Sequence, residues 1–139
     1  IILFCSPCFP IYKLAFPTET IIYFPEVLLE SIGSLECNQQ IDYYAGCYKL
    51  HRRFAPVPVD LKSTNQVFDK IKGLSVNRIS APSCCFTPVG LEHMLDHVQT
   101  DTMVHICTGC YSQAVVNMPK DRQVNILMLP EFIDMIQSA

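Results

Sequence analysis

Short β-branched or aromatic runs alternate along this chain with segments of helical spacing. "TIIYF" at 20–24 leads into "PEVLLESIG", and "IDYYAGC" at 41–47 is followed after a loop by "LKSTNQVFDKIKG". "TMVHI" at 102–106 and "QVNILML" at 123–129 each precede a further helical segment. Runs of the first kind read as strands, and apolar residues three and four apart read as the buried face of a helix. A strand followed by a helix returns to the sheet parallel to its predecessor. The expected fold class is therefore α/β, a parallel sheet with flanking helices. In such sheets ligands gather at the rim where strands end and loops begin.

Local signals sharpen the element assignment. Pro25 and Glu26 suit a helix's first turn, and Gly33 suits its end. Asp60 is placed to cap a helix over 61–73, with Leu61, Phe68 and Ile71 on one face and Gly73 as its stop. Thr87 is expected to cap a helix with Pro88 at its first position and Leu91, Met94, Leu95 and Val98 along its stripe. Residues 1–4 and, more weakly, 74–80 read as strands, 111–117 as a short helix stopped by Pro119, and 130–136 as the last helix. Pro56 and Pro58 make "YKLHRRFAPVPV" at 48–59 an irregular loop.

The chain has 139 residues, 50% hydrophobic and 17% charged, enough for about one domain with its own core. A net charge of −3 offers no electrostatic basis for binding nucleic acid or an anionic membrane surface. No apolar run reaches the roughly 18 residues of a membrane span. The apolar start lacks a basic flank and is broken by Cys and Pro, so it is a poor signal peptide.

Eight cysteines are present: Cys5, Cys8, Cys37, Cys47, Cys84, Cys85, Cys107 and Cys110. They form two Cys-x-x-Cys pairs and one vicinal pair. Adjacent cysteines bridge each other only with backbone strain, whereas tight groups converge thiolates on one point. Metal or iron–sulfur binding in a reducing, cytoplasmic setting is favoured over a disulfide framework. Cys47, Cys107 and Cys110 follow expected strands directly, and Cys84-Cys85 lies between a strand and a helix. All five are expected at one strand–loop rim.

The two ends of the chain run parallel in sequence. "ILFCSPCF … TIIYFPEVLLESI" and "VHICTGCY … VNILMLPEFIDMI" share strand, Cys-x-x-Cys, strand, Pro-Glu and apolar helix in the same order. This reads as a tandem pseudo-repeat whose first copy is incomplete: residues 1–36 form the closing part of one unit and 41–139 form a second. The chain also begins without Met, as a fragment, a processed product or a subunit missing its start would. The second unit holds five cysteines, one more than a structural zinc or an ordinary iron–sulfur cluster takes. The surplus points to a larger or irregular cluster, or to one thiol kept for redox chemistry.

"YYAGC", "APSCC" and "VHICTGC" resemble the cysteine-rich (CCG) domain family of heterodisulfide reductase and related iron–sulfur oxidoreductase subunits. The resemblance covers about 100 residues and, more weakly, the first 36. In heterodisulfide reductase the domain occurs twice in tandem, which would account for the repeat. The resemblance implies that Cys47, Cys84, Cys85, Cys107 and Cys110 hold a non-cubane [4Fe-4S] cluster. It further implies a redox subunit taking electrons from an iron–sulfur or flavin partner and delivering them to a disulfide, quinone or flavin acceptor. The implied location is cytoplasmic, with any membrane attachment made through partner subunits. Phe86 stands where the family has glycine after the Cys pair, and it either crowds the site or shields it from water. Cys5 and Cys8 would be an incomplete second metal site, to which Cys37 adds a ligand unless it is simply a small buried hydrophobe.

Two alternatives stay open: structural zinc in an interaction module, and metal-free thiol–disulfide exchange by Cys107 and Cys110 or by the vicinal pair. Other candidates have plain readings beside functional ones. His93 and His97 are either a metal pair or a solvated helix face. His105 either serves a cluster or is packed in the core. His51, Arg52 and Arg53 either bind an anionic tail or partner, or form a solvated loop. Tyr43 and Tyr44 read as strand packing rather than a redox relay. Glu26 and Glu131 are explained by the helix dipole.

Overall fold

The computed structural model describes residues 1–48, 59 and 61–139. The irregular-loop expectation, the Asp60 cap and the basic cluster His51, Arg52 and Arg53 fall outside them, apart from Tyr48 and Val59. The first half of the chain forms β1 (Ile2–Leu3), α1 (Cys8–Ala15), β2 (Ile22–Tyr23), α2 (Phe24–Ser31), β3 (Leu35–Glu36) and β4 (Gln40–Tyr44). The rest forms α3 (Lys62–Asp69), β5 (Ile71–Lys72), β6 (Ser75–Ile79), α4 (Pro88–Asp96), β7 (Thr102–His105), α5 (Thr108–Asn117), β8 (Asn125–Met128) and α6 (Leu129–Gln137).

The fold is α/β. Four parallel strands make the main sheet in the order β6-β4-β7-β8. Both faces of the two central strands are covered. Ile41, Tyr43, Val104 and Ile106 pack on one side with Val67 and Phe68 of α3 and Leu129, Phe132 and Ile133 of α6. Tyr44 and Met103 pack on the other with Met94 of α4 and Ala114 of α5. Alternate residues of a strand point to opposite faces, so a doubly covered strand must be apolar on both. β7 is buried along its whole length, with apolar Met103 and Val104 between the buried polar residues Thr102 and His105.

The order of strands creates a crevice. The chain goes from β4 outward to β6, then crosses back over β4 to reach β7 and β8. α3 follows β4 on one face and α5 follows β7 on the other. The segments leaving β4 and β7 therefore diverge, and the space between them is the switch point at which open α/β sheets bind ligands.

Asp42 holds this centre together. Its carboxylate is fully buried and accepts from the Gln99 and Thr100 backbone N–H groups at 3.0 and 2.8 Å, from the Thr100 hydroxyl at 2.8 Å and from the Asn77 side chain. Several charge-assisted bonds on one carboxylate offset the cost of burying it.

The N-terminal segment shares the main core: Phe9, Ile21, Tyr23, Phe24 and Ile32 lie in the same apolar cluster as Ile41 and Phe132. The Tyr23 hydroxyl donates to the Ile106 carbonyl, and Phe4 stacks on Phe24 with ring centres 4.8 Å apart. β1 and β2 pair in parallel, Leu3 opposite Tyr23. His105 pairs with Met128 in the same way. In both segments these are the residues two before the first Cys and two before the Pro of Pro-Glu.

Several elements differ from the sequence reading. α1 occupies what reads as a spacer. α3 stops at Asp69, and Ile71 is a buried strand residue of β5 paired with Leu35 of β3, within the expected linker. The tertiary reason is Lys70, whose ammonium donates at 2.8 Å to the carbonyls of Leu29 and Ile32 at the end of α2. α5 begins at Thr108, three residues early, because Cys107 is already its extended N-cap. Thr87 and Pro88 behave as expected: the Thr87 hydroxyl accepts from the Gly90 N–H at 3.2 Å, and Pro88 opens α4. Among the described residues no helix is long and apolar enough to cross a membrane.

Candidate functional site

The rim of the main sheet collects the five cysteines of the second unit. Cys47 follows β4, Cys84 and Cys85 follow β6, and Cys107 and Cys110 open α5 after β7. Cys47, Cys85, Cys107 and Cys110 are buried, and Cys84 is partly exposed. The Sγ atoms of Cys85 and Cys110 are 3.4 Å apart. Cys110 also hydrogen-bonds Cys107, and Cys47 faces Cys84. All eight cysteines are described; Cys5 and Cys8 are joined in a disulfide, and the other six are not bridged.

Backbone geometry presses these loops together. Gly46 has φ +85°, and a Cβ there would lie 3.1 Å from the Cys110 Sγ, so the Ala-Gly-Cys turn passes against the Cys-x-x-Cys loop. The Cys84 carbonyl accepts from the Thr87 N–H at 2.9 Å and from its hydroxyl at 2.7 Å. This folds the vicinal pair onto the first turn of α4. A Cβ on Gly90 would overlap that same carbonyl oxygen.

The thiols differ in acidity. The hydrogen bond from Cys110 holds Cys107 down at about 5, with further help from Ser6. Cys107 also stands at the N-cap position of α5, where the helix dipole favours a thiolate. The hydrogen bond between Cys85 and Cys110 lowers Cys85 too. Cys110, with its proton held between two sulfurs, is raised. Burial, followed by the neighbouring Cys84 sulfur, pushes Cys47 up to about 12. Tyr44 lies beneath the group, and burial followed by the surrounding sulfurs raises its phenol.

Phe86 does not fill the rim. Its side chain is 65% exposed, and its ring edge lies 3.3 Å from where a Cβ on Gly109 would stand. It therefore covers the Cys-Thr-Gly-Cys loop from outside. An open cavity of about 390 Å³ adjoins the rim, with Gly46, Cys47, Asn65, Arg78 and Ser80 in its wall. Arg78 and Ser80 carried no signal in the sequence beyond ending a weak strand. Ser6 was equally silent, although it faces Cys107.

The remaining candidates resolve mostly to structure. His105 is fully buried against Tyr44 and Tyr111, neither ring nitrogen has a hydrogen-bond partner among the described residues, and burial lowers its pKa to about 3. His93 and His97 stack at 4.0 Å on the surface, and the His93 ring meets the Ser80 hydroxyl at 3.1 Å. Tyr43 packs edge-on to Phe68 under Arg78. Glu131 accepts from the Met128 N–H at 2.7 Å at the start of α6, and Glu26 occupies the first turn of α2. Cys37 packs on the apolar core with its thiol 3.6 Å from the Gln39 side chain.

Among the described residues no three His, Cys, Asp or Glu side chains are grouped as a single metal ion requires. The arrangement is a buried, sulfur-lined rim with two acidified thiols and a side cavity, suited to soft metals or to sulfur exchange. The chain matches no known family model, no curated protein and no solved structure.

Proposed function

We propose that this chain is an iron–sulfur redox subunit of a heterodisulfide-reductase-like complex. Its cluster, of the non-cubane [4Fe-4S] kind, is held by Cys47, Cys84, Cys85, Cys107 and Cys110. It passes electrons from an iron–sulfur or flavin partner to a disulfide, quinone or flavin acceptor. The observation that carries this reading is the gathering of five thiols from three separate loops at the switch point of one parallel sheet. The donor set fits: all five are soft sulfur ligands, no carboxylate is among them, and Gly46 keeps a Cβ out of the space beside Cys110. When bound, the cluster would supply one-electron chemistry. The chain's own residues place the thiolates, and Phe86 and Tyr44 cover the site from outside and below. The cavity beside Cys47 gives an acceptor room to approach.

Structural zinc, held by four of the five thiolates on one tetrahedron, is the second metal reading; the absence of a group of three donors among the described residues bears on zinc and on a cluster alike. Metal-free exchange keeps one observation in its favour, the hydrogen-bonded Cys107 and Cys110 side by side at the start of α5. The location that goes with this reading is cytoplasmic, with membrane attachment, where present, made by partner subunits.

The test is anaerobic purification followed by iron, sulfide and zinc analysis and visible spectroscopy. The expected result is a brown protein with about four irons per chain, since a [4Fe–4S] centre is the cluster assigned, and loss of the cluster in Cys85→Ser. A colourless protein with one zinc, retained in Cys85→Ser, overturns the reading.

A further inference from the structure

The two Cys-x-x-Cys loops, far apart in sequence, lie against each other. The Thr108 N–H donates to the Phe4 carbonyl at 3.0 Å. Ser6, between Cys5 and Cys8, is 1% exposed and turns both its hydroxyl and its N–H toward the Cys107 sulfur. Among the described residues that hydroxyl has no hydrogen-bond partner within normal distance. One loop holds the disulfide Cys5–Cys8, with Cα atoms 5.2 Å apart; the other holds the thiols Cys107 and Cys110. Each pair sits at a helix start, Cys8 opening α1 and Cys107 capping α5. The bridged pair is partly exposed, whereas the dithiol pair is buried.

We propose that Cys5–Cys8 is a redox-active disulfide that exchanges with the Cys107/Cys110 dithiol across this contact. Cys107 gives its proton to solvent and attacks one sulfur of the bridge as a thiolate. A Cys107 mixed disulfide forms, the Cys5–Cys8 bond breaks, and the departing sulfur leaves as a thiolate that takes up a proton. Cys110 gives up its proton and attacks the Cys107 sulfur. The Cys107–Cys110 bond closes, the mixed disulfide breaks, and the second N-terminal cysteine is released. Two electrons move from the buried pair to the N-terminal pair with their two protons, so no outside oxidant or reductant is required. Exchange in this direction removes two thiols from the rim and exposes a dithiol. On the iron–sulfur reading above, on which this consequence alone rests, the position of the disulfide decides whether the rim can accept iron.

The test uses the full chain in metal-free form, incubated at pH 8 without added thiol. Acid quenching, alkylation and peptide mass spectrometry then locate the bridge. In the unsubstituted chain the expected result is a bridge divided between Cys5–Cys8 and Cys107–Cys110. In Cys110→Ser, which lacks the resolving thiol, the expected result is loss of Cys5–Cys8 and gain of a cross-link from Cys107 to Cys5 or Cys8. Cys107→Ser should keep the bridge wholly at Cys5–Cys8. A bridge confined to Cys5–Cys8 in the unsubstituted chain and in folded Cys110→Ser overturns the proposal. Iron plays no part in this readout, so its failure leaves the cluster reading standing, and an iron-free protein leaves the exchange to be judged on its own.

Discussion

Gly90 has no room for a side chain, because the Cys84 carbonyl oxygen occupies the space a Cβ would fill. That neighbour is backbone and cannot rotate away. Gly90→Ala should push the vicinal pair off the first turn of α4 and cost about 1–3 kcal/mol, as overpacking does. Urea unfolding measures the loss, and faster alkylation of Cys85 reports the displacement. An unchanged midpoint would contradict the contact. His105 leads to a second expectation at this scale. Its folded pKa of about 3 lies below the ordinary value of 6.5, so the unfolded chain binds a proton between those values and the folded chain does not. Its contribution to stability is complete above about pH 6.5 and is lost as pH falls toward 3, with a slope of up to about 1.4 kcal/mol per pH unit. His105→Phe should flatten that part of the stability profile, which urea titrations at stepped pH would measure. Neither residue's role could be read locally: Gly90 looks like an ordinary helix residue, and His105 is silenced only by the elements packed on it.

At the scale of elements, the strands and helices that sequence pattern finds correctly are those whose signals are local. Thr87 caps, Pro88 opens α4, and the apolar run 102–106 makes the central strand β7. The two-residue strands β3 and β5 are invisible to periodicity, because a pair that short has no pattern and exists only through its partner. Lys70, bonded to the end of α2, stops α3 at a point where its own sequence would continue. The Asp42 carboxylate joins elements in the same way, tying the loop before β7 and strand β6 to β4. Asp42→Ala should leave several buried donors unpaired and cost about 3 kcal/mol or more. Thermal unfolding followed by circular dichroism checks this, and a loss below about 1 kcal/mol, the size of one ordinary hydrogen bond, would mean that water replaces the carboxylate.

Over the whole molecule, the N-terminal segment and the main sheet share one apolar cluster, with Phe9 and Tyr23 beside Phe132 and Val104. Although sequence pattern alone suggests a division into 1–36 and 41–139, the two parts should unfold together. Phe132→Ala, a large-to-small change at a fully buried site, should cost about 3–5 kcal/mol. It should also lower the protection of backbone amides in β1 and β2 by the same factor as those in β7, as read by hydrogen exchange. Retained protection in β1 and β2 alone would separate the two parts. The sequence by itself determined the α/β class and the placing of Cys47, Cys84, Cys85, Cys107 and Cys110 at strand ends, because strand pattern, turn residues and cysteine spacing are properties of short stretches. Only the tertiary structure decided the order β6-β4-β7-β8, which puts Cys47 and Cys107 on either side of one crevice. It also decided that Cys5 bridges Cys8 while Ser6 between them faces Cys107. Such contacts join residues about a hundred positions apart, and they arise from how helices divide between two faces of a sheet, which no local stretch of sequence encodes.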